Sequence, residues 1–535
     1  MNFRSPADCL NALQRLHPVN VDETHAMLST MVAELLEAMP PPNQHLEVLE
    51  TARETLAFVQ TEMSKRYAAR PLPPDGAENR TLERVTSLWD DLARSYALIA
   101  RRDAEEGTLD DQRALLAQRR LHCAGMVLIE YFRAHRQVPP GRWAEVHDCY
   151  AAAVHADLQG IRVADGLNEV WRAQSPREAY ASVLLVDLAN PYGRDERELC
   201  WVLRWAQRFA PYCRLSGDVD DQKANVYGVD LGSDRGLGPI GLLPRTSGLI
   251  RFDGSALGEQ IRAVVQQFKE GAKPASLGLG DDCPRDTCAR LLLSLYRPWG
   301  QSSSGRRFPR RPVEGTIALT GDWLAIGFGI SGRVFEQPRT LGAQADVRED
   351  ISLLTFGERV SPADDAAIRR ESHDREAERL GLACENWKLL DQSVGGFRVE
   401  QAPRAERLEH HQLVGVRPHD GNALLLGKVS WLMFRTDGRL EAGIHLLSGV
   451  PRVIAVRPMM AQGRQPSFQQ GFALPANPAL KLASSLVLPG NWYQRQRELE
   501  IKDEGSLRQL RMTQLMLRGA NFDQVTVEAL PASRA

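Results

Sequence analysis

The spacing of the apolar residues changes along this 535-residue chain, and that change restricts the folds open to it. From residue 1 to about 212, apolar residues recur three and four positions apart, which is typical of amphipathic helices. From Trp387 onward, short apolar runs are bounded by Gly, Pro and Asp, which is typical of strands joined by turns. The sequence therefore predicts a multidomain α+β protein with its helices first and an antiparallel β-barrel near its C-terminus.

Residues 1–212 are predicted to form an all-α domain. Apolar residues have helical spacing at 21–39, 45–68, 82–102, 110–135, 141–156, 175–190 and 195–210. The last three segments carry aromatic residues at spacings that resemble tetratricopeptide-like helix pairs. Aromatic residues filling the core of a helical bundle would give the same pattern, and both alternatives stay open. Either arrangement offers a docking surface, so we expect an unidentified protein partner to bind this domain.

Residues 213–300 are predicted to be a mixed α/β segment, with strands near 224–231 and 248–252 and helices at 255–269 and 286–297. Gly236-Leu237-Gly238-Pro239-Ile240-Gly241 has the spacing of a dinucleotide-binding fingerprint. Pro239 lacks the backbone donor that a phosphate needs, and Pro244 prevents the helix that should follow. We therefore expect no nicotinamide or flavin cofactor.

The stretch Asp391-Gln392-Ser393-Val394-Gly395-Gly396 combines a carboxylate, a hydroxyl and two glycines between strand-like runs. Such a pattern predicts a tight turn at a strand end. Further on, Asp437-Gly438 separates two more strand-like runs and predicts a hairpin. These strands indicate a small antiparallel barrel over residues 301–460, and the strand-like runs at 461–535 predict hairpins that form a second small barrel or complete the first.

A basic run follows the Gly/Ser-rich residues 300–305 and contains Arg306, Arg307, Arg310 and Arg311. Guanidinium groups donate to phosphate oxygens and to guanine O6 and N7, and they stack on bases. Asp391 could accept hydrogen bonds from guanine, and glycine lets the backbone approach a ligand. With the turn at 391–396, this run indicates a pocket for a guanine nucleotide. The structural alternatives are a local Asx or Ser cap and a solvated basic surface.

These residues resemble the PilZ family of bacterial cyclic di-GMP receptors. The family's R-x-x-x-R signature fits Arg306 with Arg310 or Arg307 with Arg311, and its D-x-S-x-x-G signature fits the turn at Asp391. The strands G-K-V-S-W at 427–431 and E-A-G-I-H-L-L at 441–447 add to the resemblance. It implies a PilZ-type barrel with extra strands, and cyclic di-GMP bound by these arginines together with Asp391, Ser393, Gly395 and Gly396.

The sequence departs from the family pattern in one respect, because Arg311 and Asp391 are 80 positions apart. Either an insertion at about 333–384 interrupts the barrel, or the arginines lie elsewhere and the pocket is incomplete. A rival pair, Arg375 and Arg379, lies in a charged stretch with helical spacing. We interpret that pair as part of a solvated helical face.

Composition and remaining motifs exclude several functions. A net charge of −2 argues against a dedicated nucleic-acid-binding protein. No signal peptide or uninterrupted apolar run of membrane-spanning length is present, so we expect a cytoplasmic protein without membrane insertion. The eight scattered cysteines form no zinc-ligand pattern and are expected to be reduced core thiols. No catalytic set of residues and no metal site is predicted.

Three functional hypotheses follow. The first is a non-enzymatic cyclic di-GMP receptor in which the ligand orders the arginine segment against the Asp391 turn and changes what the helical domain presents to its partner. Resemblance alone implies surface motility or type IV pilus regulation as the output. The second is an interaction scaffold or assembly factor with a degenerate, ligand-free barrel, and the third is a nucleic-acid-binding protein that uses the basic run.

Overall fold

The computed structural model describes residues 3–217, 226–300, 311–338, 372–401, 407–418, 421, 423–460, 465–503 and 506–530. The chain divides into two compact units. The helical unit comprises Met1–Arg307 with Met433–Asp437, and the barrel unit comprises Phe308–Leu432 with Gly438–Ala535. Across the described ranges, no helix is both long and apolar enough to cross a membrane.

Eight α-helices form the described part of the helical unit up to residue 209: α1 (Pro6–Gln14), α2 (Val21–Ala38), α3 (Pro42–Ser64), α4 (Gly76–Glu106), α5 (Arg113–Arg133), α6 (Arg142–His155), α7 (Pro176–Leu188) and α8 (Glu196–Phe209). Capping boxes fix the starts of α4 and α7. Ser175, for example, accepts a hydrogen bond from the Glu178 N–H, and the Glu178 carboxylate accepts one from the Ser175 N–H.

The helices pack around α5, which contacts α4, α6 and α7. Its face toward α7 includes Leu121, Ala124 and Leu128, all buried in one apolar core. In a linear array of helix pairs, each helix would contact mainly its neighbours in sequence. The helix contacts among α1–α8 join helices that are adjacent or two apart in sequence, so a tetratricopeptide-like array and a helical bundle with an aromatic-filled core both stay open.

A small sheet and two helices complete the helical unit. The antiparallel sheet has the strand order β3-β6-β4-β5, after a short ribbon of β1 and β2 within the α6–α7 connection. The bounds are β1 (Val163–Ala164), β2 (Ala173–Gln174), β3 (Arg214–Ser216), β4 (Tyr227–Asp230), β5 (Gly238–Pro239), β6 (Leu249–Asp253), α9 (Ser255–Lys269) and α10 (Arg285–Gly300). Phe252 of β6 and Trp299 of α10 lie in the same core as Trp205 of α8. The predicted boundary at 212/213 therefore does not separate two cores, because this segment buries its apolar face against the helices.

The glycine-rich loop at 236–241 packs against α6 and α7, and no α-helix begins directly after it. A Cβ on Gly236 would lie 2.3 Å from an Asp187 carboxylate oxygen and 2.8 Å from Trp143, so only glycine fits there. Burial raises the pKa of Asp187 to about 7, and the backbone N–H of Leu237, which bonds the carboxylate, partly offsets that rise. A single 3-10 turn, Ile240–Leu242, follows. The loop thus lacks the helix N-terminus that a dinucleotide would need.

The first barrel consists of six antiparallel strands: β7 (Arg311–Thr320), β8 (Glu385–Ser393), β9 (Gly396–Gln401), β10 (Leu413–Pro418), β11 (Leu425–Phe434) and β12 (Leu440–Leu446). It closes in the order β10-β11-β12-β9-β8-β7, with β7 paired to β10. Alternate residues such as Trp387, Leu389 and Val399 fill its interior. The predicted hairpin at Asp437-Gly438 is confirmed, since it joins β11 to β12.

The predicted extra strands form a second closed barrel: β13 (Arg452–Pro458), β14 (Gln469–Leu474), β15 (Ser485–Pro489), β16 (Glu498–Asp503), β17 (Ser506–Arg518) and β18 (Phe522–Ala529). If strands are numbered from one within each barrel, both close in the order 1-2-3-6-5-4. The boundary predicted at residue 460 moves to the 446–452 connection. The reason is that β13 pairs with β14 and β16 of the second barrel.

A helix within the β7–β8 connection packs against both barrels. This helix, α11 (Trp323–Ser331), begins only three residues after β7 ends. The Trp323 indole N–H donates to the Gln470 carbonyl at 3.0 Å, and the Gln470 amide donates to the Trp323 carbonyl at 2.6 Å. Ile326 shares an apolar core with Leu426 of the first barrel and Phe472 of the second. The insertion predicted from residue 333 therefore begins near 321, because α11 is already part of it; residues 339–371 lie outside the described ranges.

Candidate functional site

The glycine-rich motif forms the hairpin between β8 and β9. Ser393 pairs with Gly396 across the turn, and the Ser393 hydroxyl lies 3.4 Å from the Gly396 carbonyl. A Cβ on Gly396 would lie 1.9 Å from the backbone oxygen of Ile444, so the contact of β9 with β12 requires glycine there. The Gly395 carbonyl accepts a hydrogen bond from Leu446 N–H at 3.0 Å, which ties the turn to the end of β12. Val394 is left on the surface, 85% exposed.

The pairing of β7 with β8 brings the end of the arginine run to this hairpin. Arg311 is the first residue of β7 and stands opposite Gln392, while Pro312 stands opposite Asp391. Arg311 is exposed. The 80-position separation in sequence is thus closed by strand pairing. Arg306, Arg307 and Arg310 lie outside the described residues.

Asp391 lies on the outer face of the barrel within a cluster of charged residues. It pairs in register with Arg398, whose guanidinium lies 3.9 Å from the Asp391 carboxylate and 2.6 Å from that of Glu441. The Glu441 side chain is only 1% exposed. Arg398 is therefore bound chiefly to Glu441, because its Nε at 3.1 Å and its Nη2 at 2.6 Å both donate to the Oε2 of that carboxylate.

Two further polar residues adjoin the hairpin. His445 of β12 stands opposite Gly396, and its Nδ1 would lie 4.0 Å from a Cβ on Gly395. Partial desolvation of the ring, and then the positive charge of Lys428 on β11, lower the pKa of His445. A neutral imidazole therefore lies beside the glycines of the β8–β9 hairpin, with an ammonium group near it on β11.

The sequence alone did not single out Arg398, Glu441, His445 or Lys428. Strand alternation is the signal that could have found Arg398 and Glu441. Arg398 lies between inward-facing Phe397 and Val399, which predicts an outward charge on the same strand as the glycine turn. The alternation of inward and outward residues does not show which strand pairs with β9, and so it does not place Glu441 beside Arg398.

The rival arginine pair lies on an exposed helix and not on a barrel strand. Arg375 and Arg379 lie in helical residues 372–380, and both are exposed. Arg379 forms an ion pair with Glu376, 2.5 Å away and three positions earlier on the same helix. The structure agrees with the interpretation of this pair as a solvated helical face.

The outer face at the β8–β9 hairpin offers a carboxylate, a hydroxyl, a partly buried glycine at position 395 and an exposed arginine at the start of the neighbouring strand. This combination suits a ligand that has both anionic groups and hydrogen-bond donors. The molecule is accordingly a two-unit protein with a helical bundle and a tandem of six-stranded barrels, the first of which carries a candidate site for such a ligand.

Comparison with known proteins gives the family. Residues 7–221 match the family model described as "Cyclic-di-GMP receptor FimW, N-terminal domain", and residues 454–530 match "FimW C-terminal beta-barrel domain". The two matches together span more than half of the chain, which belongs to the FimW family. The protein "Cyclic-di-GMP receptor FimW" of Pseudomonas aeruginosa is 22% identical over 555 aligned residues, which cover 97% of this chain and 90% of that protein. The expected relationship to a family of cyclic di-GMP receptors is confirmed, whereas neither matched segment includes the first barrel.

Proposed function

We propose that this protein is a non-enzymatic, cytoplasmic receptor for cyclic di-GMP and that the ligand binds the outer face of the first barrel at the β8–β9 hairpin. One observation carries the proposal. The β7–β8 register puts Arg311, the last residue of the arginine run, opposite Gln392 and one step from Asp391. A cationic and an anionic residue therefore lie on neighbouring paired strands, which supports their contribution to one binding site.

Each group has a role that its chemistry supports. Arg311, with Arg306, Arg307 and Arg310 before it, would bind the two phosphates and stack on a guanine base. Asp391 would accept hydrogen bonds from the N1 and N2 donors of guanine. Gly395 and Gly396 would let a base lie against the backbone, and Ser393 would contact a base or phosphate.

The nearby ion pair gives the site a second property. Because Glu441 holds Arg398, the guanidinium stays 3.9 Å from Asp391 and does not form a close ion pair with it. A ligand that offers two N–H donors would then compete with Arg398 for Asp391 on favourable terms. This arrangement supports guanine recognition by Asp391 more than simple anion binding.

The relative from Pseudomonas aeruginosa supports the same ligand, since it is named a cyclic di-GMP receptor and aligns along nearly all of this chain. We further propose that ligand binding alters how the helical unit engages a protein partner. Regulation of surface motility or type IV pili is the output that the resemblance to PilZ proteins implies.

Calorimetric titration of the full-length protein with cyclic di-GMP tests the proposal. We expect micromolar or tighter binding by the wild type, because two or three charge-assisted contacts of about 1.5–3 kcal/mol each suffice for it. Asp391→Ala and Arg311→Ala should each weaken binding about tenfold or more. Arg508→Ala is the matched control, because Arg508 is likewise exposed, near the start of β17 in the second barrel.

Absence of binding by the wild type at tens of micromolar would contradict the function itself. Equal binding by the wild type, Asp391→Ala and Arg311→Ala would keep the ligand and reject the site. A titration with GTP should give no comparable binding, since a single guanine and a linear triphosphate match only part of the surface. Short RNA serves as a further control, and steeply salt-dependent RNA binding would favour the nucleic-acid alternative.

A further inference from the structure

A cleft of about 470 Å³ lies between α4, α5 and α6 of the helical unit, remote in sequence from the barrel site. Each helix contributes residues spaced three or four apart, so one face of each helix lines the cleft. Its floor consists of Tyr96, Leu116, Cys149 and Ala153, all at least 96% buried. The volume lies within the range of about 300–1,000 Å³ that is usual for small-molecule sites.

The floor is apolar and uncharged. The Tyr96 hydroxyl is already committed, since it donates to the Glu50 carboxylate at 2.9 Å. Burial raises the pKa of Cys149 to about 11, so its thiol is neutral at physiological pH. Small side chains such as those of Ala100 and Ala152 line the edges of the cleft and leave it open. The floor therefore suits an aliphatic or aromatic body rather than a polar one.

The charged side chains that line the described part of the cleft carry the same sign. Among the described residues, its charged lining groups are Arg113 and Arg120, both on α5 and two turns apart, which corresponds to about 10 Å along the helix. Arg113 is paired with Asp110 at 2.6 Å. Arg120 is partly buried and has no ion pair or side-chain hydrogen bond within the part of the chain that the structure describes. An uncommitted guanidinium thus stands at the mouth of an apolar cleft.

We propose that this cleft binds a small amphiphile with an anionic head and an apolar tail. Arg120 would hold a carboxylate or phosphate head by charge-assisted hydrogen bonds. The tail would lie over Leu116 and Ala153, where it buries apolar surface of its own and of the floor. This site is independent of cyclic di-GMP binding and adds a second, chemically different ligand class to the protein.

Equilibrium dialysis of the full-length protein against radiolabelled decanoate, below its micelle concentration, tests the proposal. We expect saturable binding at one site and none of decyltrimethylammonium, which has the same tail and the opposite charge. Arg120→Ala should weaken decanoate binding about tenfold or more, and Arg120→Lys should weaken it less, because the charge remains while the fork geometry is lost. Ala152→Trp, at an exposed position of the cleft edge, should abolish binding.

Two matched controls separate the cleft from the rest of the surface. Arg101→Ala removes an exposed arginine from α4, and Val154→Trp places the same large ring on α6, both outside the cleft lining. Each should leave the decanoate affinity within about twofold of the wild type. Circular dichroism spectra that match the wild type exclude loss of folding as the cause of any effect.

Three results would overturn the proposal. The first is absence of saturable decanoate binding, and the second is equal binding by the wild type, Arg120→Ala and Ala152→Trp. The third is tighter, Arg120-dependent binding of an acidic amphipathic peptide that decanoate does not displace, which would assign the cleft to a partner helix instead.

Discussion

The two barrels of this protein have the same strand order and differ where a ligand would bind. In each, an arginine begins the first strand and stands opposite the penultimate residue of the second strand: Arg311 opposite Gln392, and Arg452 opposite Ala473. In the first barrel a two-residue turn joins strands two and three. In the second barrel that connection is ten residues long, from 475 to 484.

The longer connection in the second barrel is held by a side-chain contact of its own. The Asn477 amide donates to the Ser448 hydroxyl at 2.9 Å and so ties the connection to the chain that precedes the first strand. Arg452 is 3.2 Å from the Asp503 carboxylate. The shared barrel topology alone therefore does not define the proposed site. Both barrels have an exposed arginine at the start of the first strand, and they differ in that Arg452 is paired with Asp503 and that the first barrel has the short glycine turn. Substitutions at equivalent positions can test this difference.

The largest effect is expected at the first residue of the third strand. Gly396→Ala places a Cβ 1.9 Å from the Ile444 oxygen, and the backbone on both sides must move. We expect a loss of about 3 kcal/mol or more in the free energy of unfolding, measured by urea denaturation. The equivalent change in the second barrel, Ser485→Ala, loses only one hydrogen bond with Gln524, and about 1 kcal/mol is expected. If Gly396→Ala and Ser485→Ala lower the free energy of unfolding by the same amount, the steric requirement for glycine at position 396 is contradicted.

The next effect concerns the two strand-initial arginines. Arg311→Ala should lower the affinity for cyclic di-GMP about tenfold to a hundredfold, because one or more charge-assisted contacts with phosphate are lost. Arg452→Ala should leave the affinity unchanged in the same calorimetric titration. If Arg452→Ala weakens binding as strongly, the second barrel also contributes to the site.

A smaller effect should follow from removing the carboxylate that holds Arg398. Glu441→Gln leaves a partly buried guanidinium with Asp391 as its remaining anionic neighbour, and we expect a loss of about 2 kcal/mol in stability and a several-fold weaker affinity for cyclic di-GMP. In the second barrel, Glu500→Gln removes the carboxylate bonded to Arg457 at 2.5 Å. That variant should lose stability alone. Unchanged ligand affinity in Glu441→Gln would separate Arg398 from the site.

The smallest effect is a pH dependence confined to the first barrel, since the second contains no histidine. The folded-state pKa of His445 is lowered, so its stabilising contribution is complete above the ordinary histidine pKa of about 6.5 and declines as the pH falls below that value. Between pH 7 and 5 the wild type should lose about 1 °C more in Tm than His445→Gln. If the Tm of the wild type and that of His445→Gln change identically with pH, the pH dependence does not come from His445.

Much of the fold was predictable because local patterns determine it. The helix predicted at 255–269 has those bounds in the structure, and the Asp437-Gly438 hairpin joins the strands expected. Long-range pairing was not predictable from these patterns. Among the strand-like runs at 461–535, the run from Trp492 to Lys502 becomes a strand only from Glu498, because residues 490–497 form a loop in which Asn491 and Gln496 have positive φ. The strand β13 belongs to the second barrel because it pairs with β14 and β16. The spacing of apolar residues in the sequence does not identify these pairing partners.

The candidate site was predictable to a similar extent. The residue types at 391–396 indicated a turn with ligand-binding chemistry, and the structure places that turn at a strand end. Glu441 and Lys428 could not be found in this way, because their proximity to Asp391 and His445 arises from strand order in a closed barrel. The role of the predicted residues in binding stays a prediction until the titrations are done.

The direction of β7 explains why a long insertion and a compact site are compatible. Since β7 and β8 are antiparallel, the connection between them departs from Thr320, about 30 Å along the strand from Arg311, and re-enters at Glu385. Chain can be added or removed at that end without altering the distance between Arg311 and Asp391. The number of residues between the two signatures is therefore a poor criterion for recognising such receptors, and searches that allow a variable gap after the first strand should find members that a fixed spacing misses.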